Sequence, residues 1–283
     1  MSLNSVNTNY GAMIALESLN KTNEALAGTQ KRVSTGYRVA DSTDDGAAYA
    51  VAQSVRSTVG ALTTANQQLG NVQGLLSTTQ SGLTDISNTM ASMRDVLVSL
   101  ADANVQGNQR TQYVAQYQSL LANVKSFIMD AGYSGKTLIG NITGSNGTPG
   151  RVTTVRNEFG ASYGIASFGG SALYGSINFT TTQLGNAVSV MAYISATGTF
   201  LNNQNSVGTA LNTVGAEVNY VKNQITYNSD KIDALNTGLG SLVDADLAKE
   251  SAQLQALQIR QQLGTQALSL ANQAPQTLLS LFK

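Results

Sequence analysis

The side chains that most often do chemistry in proteins are scarce in this sequence. It contains no His and no Cys, which excludes imidazole bases, thiolate nucleophiles, disulfide bonds and most zinc or iron sites. Catalysis would therefore need paired carboxylates, the arrangement that hydrolyses glycosidic bonds. Two pairs occur, Asp44 with Asp45 and Asp244 with Asp246. Both lie beside helical segments in positions typical of helix caps, so we expect neither an enzyme nor a bound cofactor.

The composition restricts the possible partners. Basic and acidic residues number 16 each, so no basic field is available to hold a nucleic acid or an anionic membrane. Only 11% of the residues are charged, against about 25% in typical soluble proteins. A polar but uncharged surface can be covered by a neighbour without burying unpaired ions. We therefore expect repeated association with protein, and neither nucleic acid nor membrane as a partner.

The sequence shows no conventional secretion signal or membrane anchor. Its first residues lack the basic head and apolar core of a cleaved signal peptide. No apolar run reaches the length of about eighteen residues that a transmembrane helix requires. We expect neither export by such a signal nor membrane anchoring.

The elements that position these residues are mainly helical, because apolar residues recur with helical or heptad spacing in four segments. The first ends near Gly36, the second spans about 48–100, the third about 108–131 and the fourth about 207–242. Strict seven-residue spacing produces a left-handed supercoil, so the N-terminal and C-terminal helices should wind against each other in an antiparallel bundle. Asn228 is the polar exception in the fourth segment and is expected to fix its register. The heptad positions of the first segment are Ala12, Leu19, Leu26 and Val33. Those of the second segment are Ala48, Val55, Leu62, Leu69, Leu76, Leu83, Met90 and Leu97. A second set, three residues farther along the helix, completes the heptad pattern: Val51, Thr58, Ala65, Val72, Thr79, Ile86, Met93 and Leu100.

The segment after Leu242 changes character, because its apolar residues occupy more than one helical face. Pairing with the first segment would cover one stripe and leave another exposed, and a large exposed apolar surface indicates an interaction site. Burying the four large residues near the end contributes roughly 6–12 kcal/mol in gross terms. Association costs roughly 4–15 kcal/mol, so contacts with several copies are favoured over one weak dimer contact. An intramolecular cap over the bundle end is the alternative. The expected assembly residues in this segment are Leu254, Leu257, Ile259, Leu263, Leu268, Leu270, Leu278, Leu281 and Phe282.

The helical period is lost between residues 141 and 200, where Gly is frequent and charged residues are few. The runs GRVTTVRN and GSINFTTTQ, residues 150–157 and 175–183, have the pattern of short strands between turns. The predicted fold is therefore mainly α, a long antiparallel coiled-coil helical bundle formed by the N- and C-terminal segments, with a small β-rich insertion.

Three stretches carry a family resemblance that covers nearly the whole chain. They are LNSVNTNYGAMIALESLNKTNEALAGTQKRVSTGYRVADSTDDGAAYAVA near the N-terminus, GYSGKTLIG at residues 132–140, and the ending LVDADLAKESAQLQALQIRQQLGTQALSLANQAPQTLLSLFK. The ending is the most specific of the three, because few other settings combine QQLGTQAL with the ANQ, PQ, LL and LF elements. Together the three stretches resemble the bacterial flagellins.

The resemblance implies a structural subunit that polymerises into the flagellar filament used for motility. Such a protein is secreted unfolded through the flagellar type III export apparatus and resides in the extracellular bacterial flagellum. Implied partners are other flagellin copies, an export chaperone, the filament cap and hook-junction proteins. The two terminal segments would form an inner coiled coil and would be disordered in the free monomer. The implied divisions are 1–44 and 244–283 for the inner coiled coil, 45–140 and 201–243 for the helical core, and 141–200 for the variable insertion.

The resemblance also places the motif RVADSTDDG, residues 38–46, between the inner and outer layers. We interpret Asp41, Asp44 and Asp45 as helix caps and, together with Arg38, as polar contacts between layers or subunits. A metal site built from the three aspartates is the alternative. We expect Arg94 to pack between subunits.

A cell-surface polysaccharide-binding or adhesion role is the alternative function. Aromatic side chains of the insertion could stack on sugars, although aromatic residues at this density also build a small core. The residues concerned are Tyr163, Phe168, Tyr174 and Tyr193.

Overall fold

The computed structural model describes the backbone of residues 8–280 and the side chains of residues 8–273. Helices form most of this part of the chain, and five short strands accompany them. The helices are α1 (Tyr10–Thr35), α2 (Gly46–Ala101), α3 (Gly107–Asp130), α4 (Gly170–Ile177), α5 (Thr181–Leu184), α6 (Ala187–Ile194), α7 (Thr199–Val243) and α8 (Leu247–Ser280). The strands are β1 (Gly132–Tyr133), β2 (Lys136–Thr137), β3 (Thr148–Pro149), β4 (Val152–Val155) and β5 (Ser162–Ile165).

The chain divides into two compact units. The terminal unit comprises the residues up to Thr58 and those from Asp233 onwards, and the core unit comprises Val59–Ile232. Helices α2 and α7 each contribute residues to both units. The mainly α fold with a small β insertion is confirmed, whereas the five divisions drawn from the sequence remain predictions.

The core unit contains one continuous hydrophobic core. Its predicted heptad positions on α2 are buried, which confirms the periodicity there: Leu62, Leu69, Leu76, Leu83, Met90 and Leu97. Helix α3 adds Tyr117, Leu121, Val124 and Ile128, and α7 adds Val207, Val214 and Val221. Because three long helices and the insertion all contribute, the long heptad seams of this unit are covered from more than one side.

Asn228 is fully buried in the core unit and forms three hydrogen bonds. Its Nδ2 donates to Asn66 Oδ1 on α2 at 2.9 Å and to the Arg156 carbonyl oxygen at 3.0 Å. Gln224 Nε2 donates to Asn228 Oδ1 at 3.0 Å. These directed bonds hold α7 against α2 at one register, as expected for a polar residue in a heptad seam.

The heptad prediction is wrong at Val51, whose side chain is exposed. Near its N-terminus α2 buries Ala48, as the heptad pattern predicts, and Ala52 in place of Val51, and both form a second small core with Val39 and Val243 in the terminal unit. Their four-residue spacing follows the straight helical period rather than the seven-residue repeat, so Val51 is turned to the outside.

One of the two strands predicted in the insertion forms, and the other does not. The run at 150–157 forms β4, which pairs antiparallel with β5 and aligns Val152 with Ile165. The run at 175–183 is not a strand, because it contains the end of α4 and the start of α5. Thr180 and Gln183 form a capping box that starts α5. Leu173 and Ile177 on α4 are buried at helical spacing, so capping and packing outweigh the β propensity of this run.

Candidate assembly surface

The terminal unit is built on an antiparallel pairing of α1 with α8. Asn9 Nδ2 donates to the Ala271 carbonyl oxygen at 2.7 Å, near one end of the pair. Gln261 Nε2 donates to Asn23 Oδ1 at 2.8 Å farther along. These contacts, together with an ion pair between Arg32 and Glu250, fix the register over most of α1.

The seam between α1 and α8 buries few side chains. Among the described residues of the two helices, Leu26, Thr29 and Leu257 are buried. Gly264 lets α1 approach closely, because a Cβ at this position would lie 3.2 Å from Leu19 Cδ1. Five further predicted assembly residues are half-buried: Ala12, Leu19, Val33, Leu254 and Leu268. Partial burial at helical spacing from Leu26 or Leu257 places these side chains on the more covered side of their helices, and their role between subunits remains a prediction.

Large apolar side chains on the other faces of both helices are exposed. On α1 they form a stripe at Tyr10, Met13 and Ile14, and Ile14 is 64% exposed. On α8 they form a stripe at Ile259, Leu263 and Leu270, and Leu270 is 71% exposed. We call these the α1 stripe and the α8 stripe. The spacing of three, four and seven residues places each stripe along one side of its helix.

The three residues of the α8 stripe were among the assembly residues expected from the sequence, although the sequence did not separate them from the seam residues of α8, and the α1 stripe was missed. The signal for the α1 stripe was present in the run AMIAL, residues 12–16, because five consecutive apolar residues cannot all face one partner helix. A groove of about 530 Å³ follows this side of α1 between Met13, Ile14 and the Glu17–Lys21 ion pair. Leu281 and Phe282 lie outside the described residues, as does the side chain of Leu278.

The segment 36–45 forms a polar turn between α1 and α2. Lys31 Nζ contacts Asp41 Oδ2 at 2.7 Å and Asp44 Oδ2 at 2.9 Å. Hydrogen bonds from the Lys31 ammonium group hold the pKa of both carboxyl groups below the ordinary aspartate range. Asp45 Oδ1 accepts from the Ala48 N–H at 3.0 Å and caps α2, as predicted. Asp41 and Asp44 thus organise this turn within one chain, and their contacts between subunits remain a prediction.

The same turn is tied to the junction between α7 and α8. Gly36 ends α1 with φ of 74°, a left-handed conformation that favours glycine. The Arg38 N–H donates to the Val243 carbonyl oxygen at 2.7 Å, and Arg38 Nη2 donates to the Leu242 carbonyl oxygen at 2.5 Å. Asp246, from the second predicted carboxylate pair, accepts from two N–H groups in the first turn of α8. One carboxylate of each pair named in the sequence analysis therefore caps a helix, Asp45 at α2 and Asp246 at α8, which is a structural role.

Arg94 lies apart from this turn, on an exposed position of α2 in the core unit. It takes part in none of the ion pairs found within the described part of the chain. Its packing between subunits remains a prediction.

The aromatic residues of the insertion are used in packing. Tyr163 stacks on Tyr220 with 4.1 Å between ring centroids, and Tyr193 stacks on Phe179 at 4.0 Å. Phe168 and Tyr174 also pack against the core of the core unit. The core interpretation is supported for all four candidates, and nothing here favours the adhesion alternative.

Within residues 8–280, no group of three or more acidic side chains is placed to hold a metal ion. In the same range, every helix is too short or too polar to cross a lipid bilayer.

Comparisons with known proteins match both ends of the chain. The N-terminal helical region of bacterial flagellin matches residues 6–143, and its C-terminal helical region matches residues 194–282. The flagellins FljM and FljK of Caulobacter vibrioides are 31% and 32% identical to the chain over 287 residues, and each alignment covers 100% of both proteins. A flagellin of Brucella melitensis is 32% identical over 295 residues, with 99% of each chain covered.

A solved structure supports the fold. It belongs to a protein of Vibrio parahaemolyticus that is described as flagellar hook-associated, and it covers 71% of this chain and 100% of its own with a TM-score of 0.58. The two sequences are 13% identical, so this likeness concerns the fold alone. Because both helical ends match the family and full-length relatives exceed 30% identity, the chain belongs to the bacterial flagellin family.

Proposed function

We propose that the chain is a structural subunit that polymerises, through its paired terminal helices, into the extracellular filament of the bacterial flagellum. The observation that carries this proposal is the exposure of the α1 and α8 stripes on a helix pair with a thin seam. Contiguous exposed apolar surface of this kind marks a protein interaction site. The family membership identifies other copies of the chain as the natural occupants.

The magnitudes favour an array over a pair. Each of the six stripe residues is about half to three-quarters exposed, so covering it contributes roughly 1–2 kcal/mol, or about 6–12 kcal/mol for the set. Association costs roughly 4–15 kcal/mol, which offsets the gain from one dimer contact. A subunit in a helical array meets several neighbours while it loses its rigid-body freedom once. Growth at an existing end is therefore favoured over isolated dimers.

The same reasoning extends to export and to the partners that accompany it. Two long helices that bury little against each other are marginal alone, because ordering costs about 1–2 kcal/mol per residue. A chain whose ends order on docking is suited to pass unfolded through an export channel and to polymerise only at a growing tip. We infer a type III export apparatus, an export chaperone, a filament cap and hook-junction proteins as partners, and we infer no catalytic role.

The α8 stripe can be tested directly with the double substitution Ile259→Gln and Leu263→Gln. We expect the concentration of free subunit at equilibrium with filaments to rise at least about 10-fold, because two apolar contacts are lost at every docked subunit. Sedimentation of polymer and electron micrographs of the pellet measure this change. Removal of residues 264–283 should abolish filaments altogether.

The matched control is Val188→Gln on α6, where an apolar side chain is 70% exposed in the insertion. This substitution should leave filament growth unchanged, because Val188 lies on neither stripe. Normal growth of the double variant would contradict the proposal, as would equal inhibition by the control.

A further inference from the structure

The core unit contains a cavity of about 420 Å³ that includes no residue of the α1 or α8 stripe. It lies between one face of α7 and the segment 166–168 that follows β5. Phe168, Ala210 and Val214 form an apolar wall, and Glu217 lines the same space. The volume is within the range of about 300–1,000 Å³ that small-molecule sites occupy.

Glu217 is an unusual residue for an apolar wall, because it is 9% exposed and carries a carboxylate. The Ala166 N–H donates to this carboxylate, while Oε2 has no hydrogen-bond partner among the described residues. None of the ion pairs in the described part of the chain includes Glu217. Burial raises the pKa of Glu217 because the charged form is poorly solvated there. An unpaired buried carboxylate favours a ligand that supplies positive charge and hydrogen-bond donors.

The hydroxyl groups around the cavity reinforce this preference. Ser206, Thr209 and Thr213 lie on the cavity face of α7, and each hydroxyl donates to the backbone carbonyl four residues earlier, at 2.9 to 3.0 Å. Their hydrogens are therefore engaged, and their remaining lone pairs can only accept. The cavity thus presents these acceptors beside a carboxylate, with Ser167 and Asn205 also on its lining, and this set suits a donor-rich cation.

We propose that this cavity binds an ammonium or guanidinium group carried on a short aliphatic stem. The cationic head pairs with Glu217 and donates to the hydroxyl oxygens of Thr209 and Thr213. The stem lies against Phe168 and Val214. Such a head group has two possible sources, a free alkylamine or alkylguanidine and the Lys or Arg side chain of a second copy of this chain.

The test uses n-butylguanidinium as the probe and the full chain in monomeric form. Titration calorimetry, with amide shifts of residues 166–168 and 209–217 in NMR spectra, measures its binding. We expect Glu217→Gln, which keeps the shape and the acceptor for the Ala166 N–H, to weaken binding at least about 10-fold, because a charge-assisted hydrogen bond is lost. Thr213→Val, which removes one acceptor at constant shape, should weaken binding by about 2- to 5-fold. Asp85→Asn, an exposed carboxylate on α2 in the same unit, is the matched control and should change nothing.

The two sources are separated by repeating the titration on filaments. Binding to filaments with the affinity of the monomer supports a free amine as the ligand. If filaments do not bind the probe but monomers recovered from them do, the result supports a Lys or Arg side chain of a neighbouring copy that occupies the cavity in the filament. The proposal is overturned if n-butanol or butyrate binds as well as the guanidinium probe, or if Glu217→Gln binds it as tightly as the unchanged chain. Thermal unfolding of each variant establishes that a loss of binding is not a loss of fold.

Discussion

The paired helices α1 and α8 and the helical core of the core unit use the same sequence pattern with different results. In the core unit, heptad positions such as Leu69, Leu83 and Met90 are completely buried. In the α1–α8 pair, Leu26 and Leu257 are the buried large residues among the side chains described up to residue 273, and the side chains of the two stripes are exposed. The difference follows from the number of partners, because two helices cover one seam whereas three helices and an insertion cover several.

This contrast separates folding from assembly within one chain. The core unit contains a continuous buried apolar core, and the polar side chain that interrupts it, Asn228, is satisfied by hydrogen bonds. The terminal helices carry apolar surface that their own chain does not cover. We expect such a region to gain order when neighbouring copies cover that surface, because binding stabilises the state that binds.

A Leu→Ala substitution should have its largest effect on monomer stability in the core unit and a much smaller effect on the α8 stripe. Leu83→Ala in the core unit should lower the free energy of unfolding by about 2–5 kcal/mol, because it leaves a cavity at a buried position. Leu263→Ala on the α8 stripe should change the monomer by less than about 0.5 kcal/mol, because the side chain is exposed. Denaturant unfolding of the monomer, followed by circular dichroism, measures both. Similar losses for the two variants would show that the terminal pair is already well packed without neighbours.

Substitution of Asn228 should lower the free energy of unfolding by a smaller amount, and it tests whether the hydrogen bonds of this residue fix the pairing of α7 with α2. Asn228→Ala removes the only donor given for Asn66 Oδ1 and leaves the Arg156 carbonyl oxygen with Gln224 Nε2 alone, while Gln224 loses its bond to Asn228 Oδ1. We expect a loss of about 1–3 kcal/mol in the free energy of unfolding. Asn223→Ala, an exposed position on the same helix, is the control and should have little effect. If both substitutions were equally mild, the buried hydrogen bonds would not be fixing the pairing of α7 with α2.

The smallest effect concerns the turn between α1 and α2. Lys31 lowers the pKa of Asp41 and Asp44 in the folded chain, so the stabilisation is present above the ordinary aspartate pKa of about 3.9 and is lost as pH falls through the lowered values. Lys31→Gln should raise the pKa of both carboxyl groups toward that ordinary value. Carboxyl carbon shifts in NMR titrations report this change directly. Titration curves that do not move in the variant would indicate that the backbone donors alone set these pKa values.

Several features of the fold could be predicted from local sequence. The heptad spacing of apolar residues predicted helices α2 and α7 and many of their buried positions. Gly36 indicated the end of α1, and Asp45 indicated the start of α2. The strand expected at 175–183 was wrong, because the capping box at Thr180 and the spacing of Leu173 and Ile177 decided for helix. The exposure of Val51 was also missed. A straight helix does not follow the seven-residue repeat, so the buried position there is Ala52, one residue farther along, and Val51 lies at the surface.

The candidate sites also divide into features that the sequence could predict and features that needed the structure. The α8 stripe could be predicted because its segment has too many apolar residues for one partner helix, whereas the choice between Ala12 at the seam and Ile14 outside needed the structure. The cavity at Glu217 had no sequence signal, because its walls come from α7 and from residues about fifty positions earlier, and a lone Glu on a helix is usually solvated.

The sequence by itself determined the helical pattern, the lack of imidazole and thiol chemistry, and the family, because these depend on residue types and local spacing. Only the tertiary structure decided which apolar residues the chain covers itself and which carboxylate it buries without a partner. Burial depends on contacts between segments far apart in sequence, and local periodicity contains no information about which of several apolar faces a distant helix will cover.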